Sequence, residues 1–364
     1  MKMRATIAVS VTAFSLALAG CSSGDSGTSA SESPSAAEAG KIGVILPDSA
    51  SSARWETADR KYLQEAFEAA GVEYDIQNAN GDKAKFQTIA DQMLNSGVNT
   101  LMIVNLDSDT GAAVIKKANA QGVKVIDYDR LTIGGNASYY VSFDNVAVGT
   151  KIGEGLVKCM QDNGDTSGPV ALLNGSPTDN NATLFKQGYE TAITDAGYTV
   201  AADQAVPEWD NTKAGTIFEQ MYTKADGNFI GVAAANDGLG GAAISVLDRN
   251  GQAGKIPVTG QDATDEGLQR VLLGTQCMTV YKAVKQEADA AAALAIALSK
   301  GEEPQVDQVT KDPETGADVP SVLLEPVAIF KDNVKDVVAD GFTTADNLCT
   351  TEKLKQACAE AGVQ

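Results

Sequence analysis

Short apolar runs with no internal alternation recur along this chain, each ending in polar residues and each followed by a helix-length stretch. Residues 41–46 (KIGVIL), 101–104 (LMIV), 123–126 (VKVI) and 170–173 (VALL) all read this way. A strand that is apolar on both sides is covered on both faces, the situation of parallel sheets wrapped by helices. Strand and helix alternate from Lys41 onward, and parallel neighbours joined by helices cross over right-handed. The expected fold is therefore α/β with doubly wound parallel sheets. Such sheets bind ligands at the carboxyl edge of their strands, so residues just past each run become candidates.

The stretch 122–145 is the pivot. Its apolar run ends at Asp129 and Arg130, and a second β-branched and aromatic run, 139–143, ends in Asp144-Asn145. That second run reads as a crossing into another lobe, after which the pattern restarts. Two segments are alike: LMIVNLDSDTGAAVIKKANAQGVKVIDYD and FIGVAAANDGLGGAAISVLDRNGQAGKIPVTGQD. Each reads apolar strand, Asn-containing loop, Ala-rich helix, Gly turn, strand and terminal Asp, at Asp129 and at Asp262. The repeat predicts two similar lobes presenting matching edges to one cleft; a tandem α/β protein would repeat in the same way without a shared cleft. Further crossings are expected after 278–281, which ends in Lys282, and near 319–326. Three crossings make a hinge. The expected lobes are 41–143 with 282–321, and 144–281 with 322–364. A chain of 364 residues suits two lobes of about 100–150 residues each.

A formal charge of −20 excludes a nucleic-acid surface, which needs a basic stripe. At the N-terminus, Lys2 and Arg4 precede an apolar run over 5–19, the form of a signal peptide covering 1–20. Residues 18–21 (LAGC) resemble a bacterial lipobox. That resemblance implies that Cys21 becomes the lipidated N-terminus, anchored to the outer face of the cytoplasmic membrane. Residues 21–40 are Ser, Ala, Gly and acidic residues without periodicity, a disordered tether. Four cysteines remain, an even number that points to disulfides in an exported protein. Cys349 and Cys358 are close enough for a local bridge; whether Cys159 meets Cys277 is not readable. The chain has no His and no Cys pair at zinc spacing, so neither a metal nor a cofactor is expected.

Past the strand ends stand Arg54, Asp129, Arg130, Asn181, Asn236, Asp262 and Lys282, with Trp55 and Trp209 as flat apolar faces. Sugars match this set. Their hydroxyls donate to carboxylates, accept from Arg and Lys, and do both with Asn. Pyranose C–H faces pack on indoles. Asp107 and Asp237 read instead as helix N-caps.

The stretches SSARW, VKVIDYDRL, YYVSFDNVAVG, GSPTDNNA, NDGLGGA, GQDA and MTVYK occur in this order. Together they closely resemble the xylose-binding and multiple-sugar-binding members of the type I periplasmic binding proteins, over about residues 41–342. The resemblance implies a monomeric receptor that delivers a monosaccharide, xylose or a related aldopyranose such as glucose or galactose, to an ABC importer. Carried over by motif, it implies sugar contacts from Arg54, Trp55, Asp129, Arg130, Asn181, Asn236, Asp262 and Lys282, with Trp209 as the second stacking ring. The loop before Arg54 is Ser and Ala, as in the multiple-sugar binders, which argues against strict xylose specificity. Two rivals stay open: a receptor for a non-sugar such as a quorum signal or nucleoside, and a glycosidase pairing Asp129 with Asp262. Arg130 beside Asp129 opposes the glycosidase, because it disfavours a protonated carboxyl. The export signal and the lack of a basic helical N-terminal domain oppose a repressor-type sensor.

Overall fold

The computed structural model describes residues 40–364; the signal segment, Cys21 and the tether up to residue 39 lie outside the described residues. The chain begins β1 (Lys41–Leu46), α1 (Arg60–Ala70), β2 (Tyr74–Asn78), α2 (Lys83–Asn95), β3 (Val98–Ile103), α3 (Ser108–Ala120), β4 (Lys124–Tyr128) and β5 (Tyr139–Phe143). The pattern then restarts with α4 (Asn145–Asp162), β6 (Pro169–Asn174), α5 (Asn180–Asp195), β7 (Thr199–Ala205), α6 (Asn211–Lys224) and β8 (Gly231–Ala234). It continues through α7 (Asp237–Arg249), α8 (Asp265–Leu273) and β9 (Thr279–Tyr281). After α9 (Val284–Ser299) come β10 (Gln308–Lys311), β11 (Asp318–Leu324) and β12 (Val327–Ile329). The chain closes with α10 (Val334–Ala339), α11 (Ala345–Leu348) and α12 (Glu352–Ala361).

One sheet has the order β10-β11-β5-β4-β3-β1-β2 and is parallel except for the β10–β11 hairpin. The other lobe is built in the same order. β7, β6 and β8 are parallel neighbours, and Val258 bridges Val232 on the far side of β8. β9 follows, tied by Cys277 N donating to Val258 O at 2.8 Å, and β12 pairs with it antiparallel. The repeat thus becomes two α/β lobes. The chain passes between them after Phe143, after Tyr281 and after Leu324.

Each sheet is covered on both faces. Ile42, Val44, Ile126 and Val141 pack with α1 and α9 on one side of the first sheet. Ile45, Leu101, Ile103 and Val125 pack with α2 and α3 on the other. Each fully buried aliphatic side chain contributes about 1.5–3 kcal/mol. In the second lobe α4 and α5 touch backbone to backbone. A Cβ on Gly149 would sit 2.1 Å from Phe185 O, and one on Gly188 would sit 2.4 Å from Val146 O. That close approach sets the position of α5, whose first turns reach the cleft. Cys159 of α4 is bonded to Cys277, and Cys349 to Cys358; α12 packs on α8.

Two local expectations change, and one strand lies outside them. The segment before Asp262 is not a strand but a single bridge at Val258. Pro257 has no N–H, and Thr259 uses its hydroxyl to accept from Ala234 N at 3.1 Å. Asp237 is not the N-cap of α7: Asn236 is, accepting from Leu239 N at 2.9 Å, while Asp237 is buried inside the first turn. The β10–β11 hairpin carries no apolar signal, because β10 is largely exposed.

Candidate functional site

A small cavity of about 30 Å³ lies between the lobes, and all nine residues singled out at strand ends line it. Arg54 and Trp55 come from the turn after β1, Asp129 and Arg130 from the turn after β4, and Lys282 from the passage after β9. From the second lobe come Asn181 on α5, Trp209 in the short turn before α6, Asn236 capping α7, and Asp262. The two terminal Asp of the repeat are built alike. Asp129 N donates to Val141 O at 2.8 Å and Asp262 N to Val280 O at 2.9 Å. Both have positive φ, 62° and 95°, and Ala263 follows at 49°. Non-glycine residues in that region are held there by their surroundings, and such strain gathers at functional sites.

Trp55 opens a single π-helical stretch, Trp55–Asp59. In an α-helix residues five apart point about 140° away from each other. Bonding from i to i+5 brings them onto nearly one face. Arg54 accordingly donates through Nε and Nη2 to both oxygens of Asp59, at 2.9 and 2.7 Å. It also donates to Asp129 Oδ2 at 2.9 Å and to Glu287 Oε2 at 2.6 Å. Its guanidinium lies 4.5 Å from the centre of the Trp55 ring, and that of Arg130 lies 5.6 Å away.

Asp129 is the hub between lobes. Its Oδ2 also lies 3.3 Å from Lys282 Nζ, and Asn181 Nδ2 donates to its Oδ1 at 3.1 Å and to its carbonyl at 2.9 Å. Lys282 Nζ stands 3.8 Å from Asp262 Oδ1, so one ammonium lies between the two carboxylates. Arg130 Nε is 3.0 Å from Asp179 Oδ2, which also accepts from Trp209 Nε1 at 3.1 Å. Asn236 Nδ2 reaches Ser51 O at 3.4 Å; contacts from Asn181 to Asp129, Arg130 to Asp179, Asn236 to Ser51 and Lys282 to Asp262 thus span the cleft.

Burial alone would raise the Asp129 carboxyl. Lys282, Arg54 and Arg130 outweigh it and hold the group well below the usual carboxylate range. Burial likewise works against the charge on Arg54, but Asp59, Glu287 and Asp129 keep it ionised. Glu287 goes the other way: its burial pushes it up to about 8 against the pull of Arg54.

Five further residues line the cavity that were given no role from sequence: Ser51, Ser52, Asp179, Phe185 and Gln261. Four of them sit inside the quoted motifs SSARW, GSPTDNNA and GQDA; Phe185 lies one helical turn beyond Asn181. Three cavity-lining polar atoms are buried without a hydrogen-bond partner among the described residues: Ser52 Oγ, Arg130 Nε and Gln261 Oε1. For Arg130 the 3.0 Å approach to Asp179 is an ion pair out of line for a hydrogen bond.

The comparisons agree with this architecture. A family model described as a periplasmic binding protein domain matches residues 42–303. The D-xylose-binding periplasmic protein of Escherichia coli is 36% identical over 307 residues, 83% of this chain and 90% of that one. The multiple sugar-binding periplasmic receptor ChvE of Rhizobium radiobacter is 32% identical over 334 residues, 86% and 93% of the two chains. Among solved structures, an ABC transporter solute binding protein from Clostridium phytofermentans with bound β-D-glucose has a TM-score of 0.77 and 27% identity, covering 85% of this chain and 99% of that one. A carbohydrate transporter solute binding protein from Chloroflexus aurantiacus, in complex with D-glucose, has a TM-score of 0.74 at 27% identity, covering 84% and 97%. With its doubled sheet order, its cleft at the strand tips and a match over most of its length, this chain belongs to the periplasmic binding protein family.

Proposed function

We propose that this chain is an extracytoplasmic receptor that captures a monosaccharide by lobe closure and delivers it to an ABC importer. The ligand is D-xylose or a related aldopyranose such as glucose or galactose. The observation that carries this reading is the pair of buried polar atoms without a hydrogen-bond partner, Ser52 Oγ and Gln261 Oε1, on a small cavity lined by charged and amide groups. A buried donor or acceptor left unpaired costs about 1–3 kcal/mol. A guest rich in hydroxyls, which both donate and accept, removes that cost; an apolar guest does not. Trp55 and Trp209 supply ring faces, and Arg54, Asp129, Arg130, Asn181, Asn236, Asp262 and Lys282 supply polar contacts. The names of the relatives, which bind xylose or several sugars, support the same ligand class.

The chain binds without catalysis in this reading. A glycosidase needs one carboxyl kept protonated, whereas Asp129 is held ionised by Lys282, Arg54 and Arg130. The lobes are taken as 41–143 with 282–324 and 144–281 with 325–364, the last crossing falling three residues beyond the expected 321 because β11 stays paired with β5 up to Leu324. Cys21 carries the lipid that holds the receptor, a monomer, at the outer face of the cytoplasmic membrane.

A thermal-shift panel of aldopentoses and aldohexoses on the purified protein tests the ligand class. Stabilisation by D-xylose or a related aldopyranose, with a calorimetric Kd, is the expected result. Stabilisation by nucleosides or acylated signals with none by sugars overturns the reading, as does turnover of a chromogenic glycoside.

A further inference from the structure

Two buried carboxyls outside the cavity grip the turns that carry the two terminal Asp, one in each lobe. Asp127, on β4, is fully buried. Its Oδ2 accepts from Thr132 N at 2.7 Å, and its Oδ1 accepts from the Thr132 hydroxyl at 2.7 Å. The pair closes the loop between residues 127 and 132, which contains Asp129 with its positive φ and Arg130. The grip continues toward the cleft. Asn105 Nδ2 donates to Thr132 Oγ1 at 2.9 Å and to Arg130 O at 3.2 Å, and Arg130 Nη1 donates back to Asn105 O at 3.2 Å.

The second lobe repeats the device from a different element. Asp237, in the first turn of α7, accepts at Oδ2 from Thr264 N at 2.9 Å and from the Thr264 hydroxyl at 3.2 Å. Thr264 directly follows the left-handed pair Asp262-Ala263. Gln276 Nε2 holds the other oxygen of Asp237 at 2.7 Å, and Arg270 Nη2 donates to the Asp237 carbonyl at 2.6 Å. The surroundings leave room for the carboxylate and nothing more. A Cβ on Gly260 would meet Asp237 Oδ1 at 2.0 Å, and one on Gly267 would meet Oδ2 at 2.1 Å.

We propose that Asp127 and Asp237 are positioning residues for ligand binding, each fixing through one Thr the strained turn that presents a cleft Asp, although neither reaches the cavity. The proposal rests on the reading of that cleft as a sugar site. A left-handed Asp is costly to maintain, and a carboxylate taking both the N–H and the O–H of one Thr fixes where the turn ends. Releasing the grip lets Asp129 or Asp262 relax away from the position in which it meets a hydroxyl.

The test uses the full chain with D-xylose, D-glucose and D-galactose as probes, calorimetric Kd, ligand-free Tm and amide hydrogen exchange over 128–132 and 262–264. Asp127→Asn and Asp237→Asn should each weaken binding about ten-fold or more, the size expected for a lost hydrogen bond to a charged group. Exchange should accelerate in the turn of the altered lobe only. Thr132→Val and Thr264→Val, which keep the N–H but lose the hydroxyl, should weaken binding. Thr132→Ser and Thr264→Ser should restore it to within about two-fold. Wild-type affinity in folded Asp→Asn variants overturns the proposal, and so does a Ser variant no better than Val. Should Asp127→Asn or Asp237→Asn not fold, the Ser and Val pair decides. If the wild-type protein binds none of the three sugars, the functional reading falls, and turn exchange alone then decides the role of the carboxyls: unchanged protection overturns it.

Discussion

Asp129 meets Arg54, Lys282 and Asn181 through its carboxylate while its own carbonyl accepts from Ser142 Oγ at 2.7 Å. Converting it to Asn removes the charge that Lys282, Arg54 and Arg130 share and leaves the hydroxyl-accepting edge half donor. Asp129→Asn should weaken monosaccharide binding by about 3 kcal/mol, roughly a hundred-fold, read by titration calorimetry. Trp55→Ala should also weaken binding while the ligand-free Tm falls only modestly, since the indole lines the cavity. A collapse of the ligand-free Tm would assign Trp55 to the core instead. The nine cavity residues were legible because one rule, ligand groups at strand ends, applies to each of them locally. Their partners were not. Arg54 meets Glu287 across 233 positions and Asp129 meets Lys282 across 153, and no local pattern encodes pairings of that span. Asp237 misled for a related reason: Asn and Asp both cap helices well, and only the fold shows which of two adjacent residues stands outside the first turn.

Among the elements, helices and buried strands were readable from period and apolar run, because both signals are local. The π-helical turn at Trp55–Asp59 was not, since its sequence suits an ordinary helix and the wide turn is imposed by the bidentate Arg54–Asp59 pair and the packing around it. β11 lies at the crossing expected near 319–326, but its hairpin partner β10 was not readable, because an exposed edge strand has no core face to mark it. The α4–α5 contact yields a test at this scale. Gly188→Ala would drive a methyl into the backbone of α4. It should destabilise the protein by about 1–3 kcal/mol, measured by denaturant unfolding, and weaken binding through the displaced Asn181. The Cys159–Cys277 bond closes a span of 118 residues within the second lobe. Replacing both cysteines by Ala should lower unfolding free energy by roughly 2–5 kcal/mol in the same assay.

The pH response belongs to the whole molecule. No His is present, so no imidazole titrates between pH 5 and 8. Burial raises Asp127 to about 7 and Asp237 to about 6, and burial raises Glu287 to about 8. Between the ordinary carboxylate range and those values the native state holds more protons than the unfolded chain. The stability these groups contribute is therefore full below about pH 4 and is lost as pH rises through 6–8. Asp129 has the opposite sign, its contribution being lost on strong acidification. The ligand-free Tm should peak near pH 4, at the lower end of that window, and decline toward pH 8. Glu287→Gln should flatten the upper part of the decline in calorimetric scans; a profile level from 5 to 8 would contradict this account. The same triple passage of the chain has a consequence for synthesis. β5 finds its outer neighbour only in β11, and α1 is roofed by α9, segments made after the entire middle of the chain. The half begun first at the ribosome is thus among the last to be finished, with one flank bare until translation is nearly over.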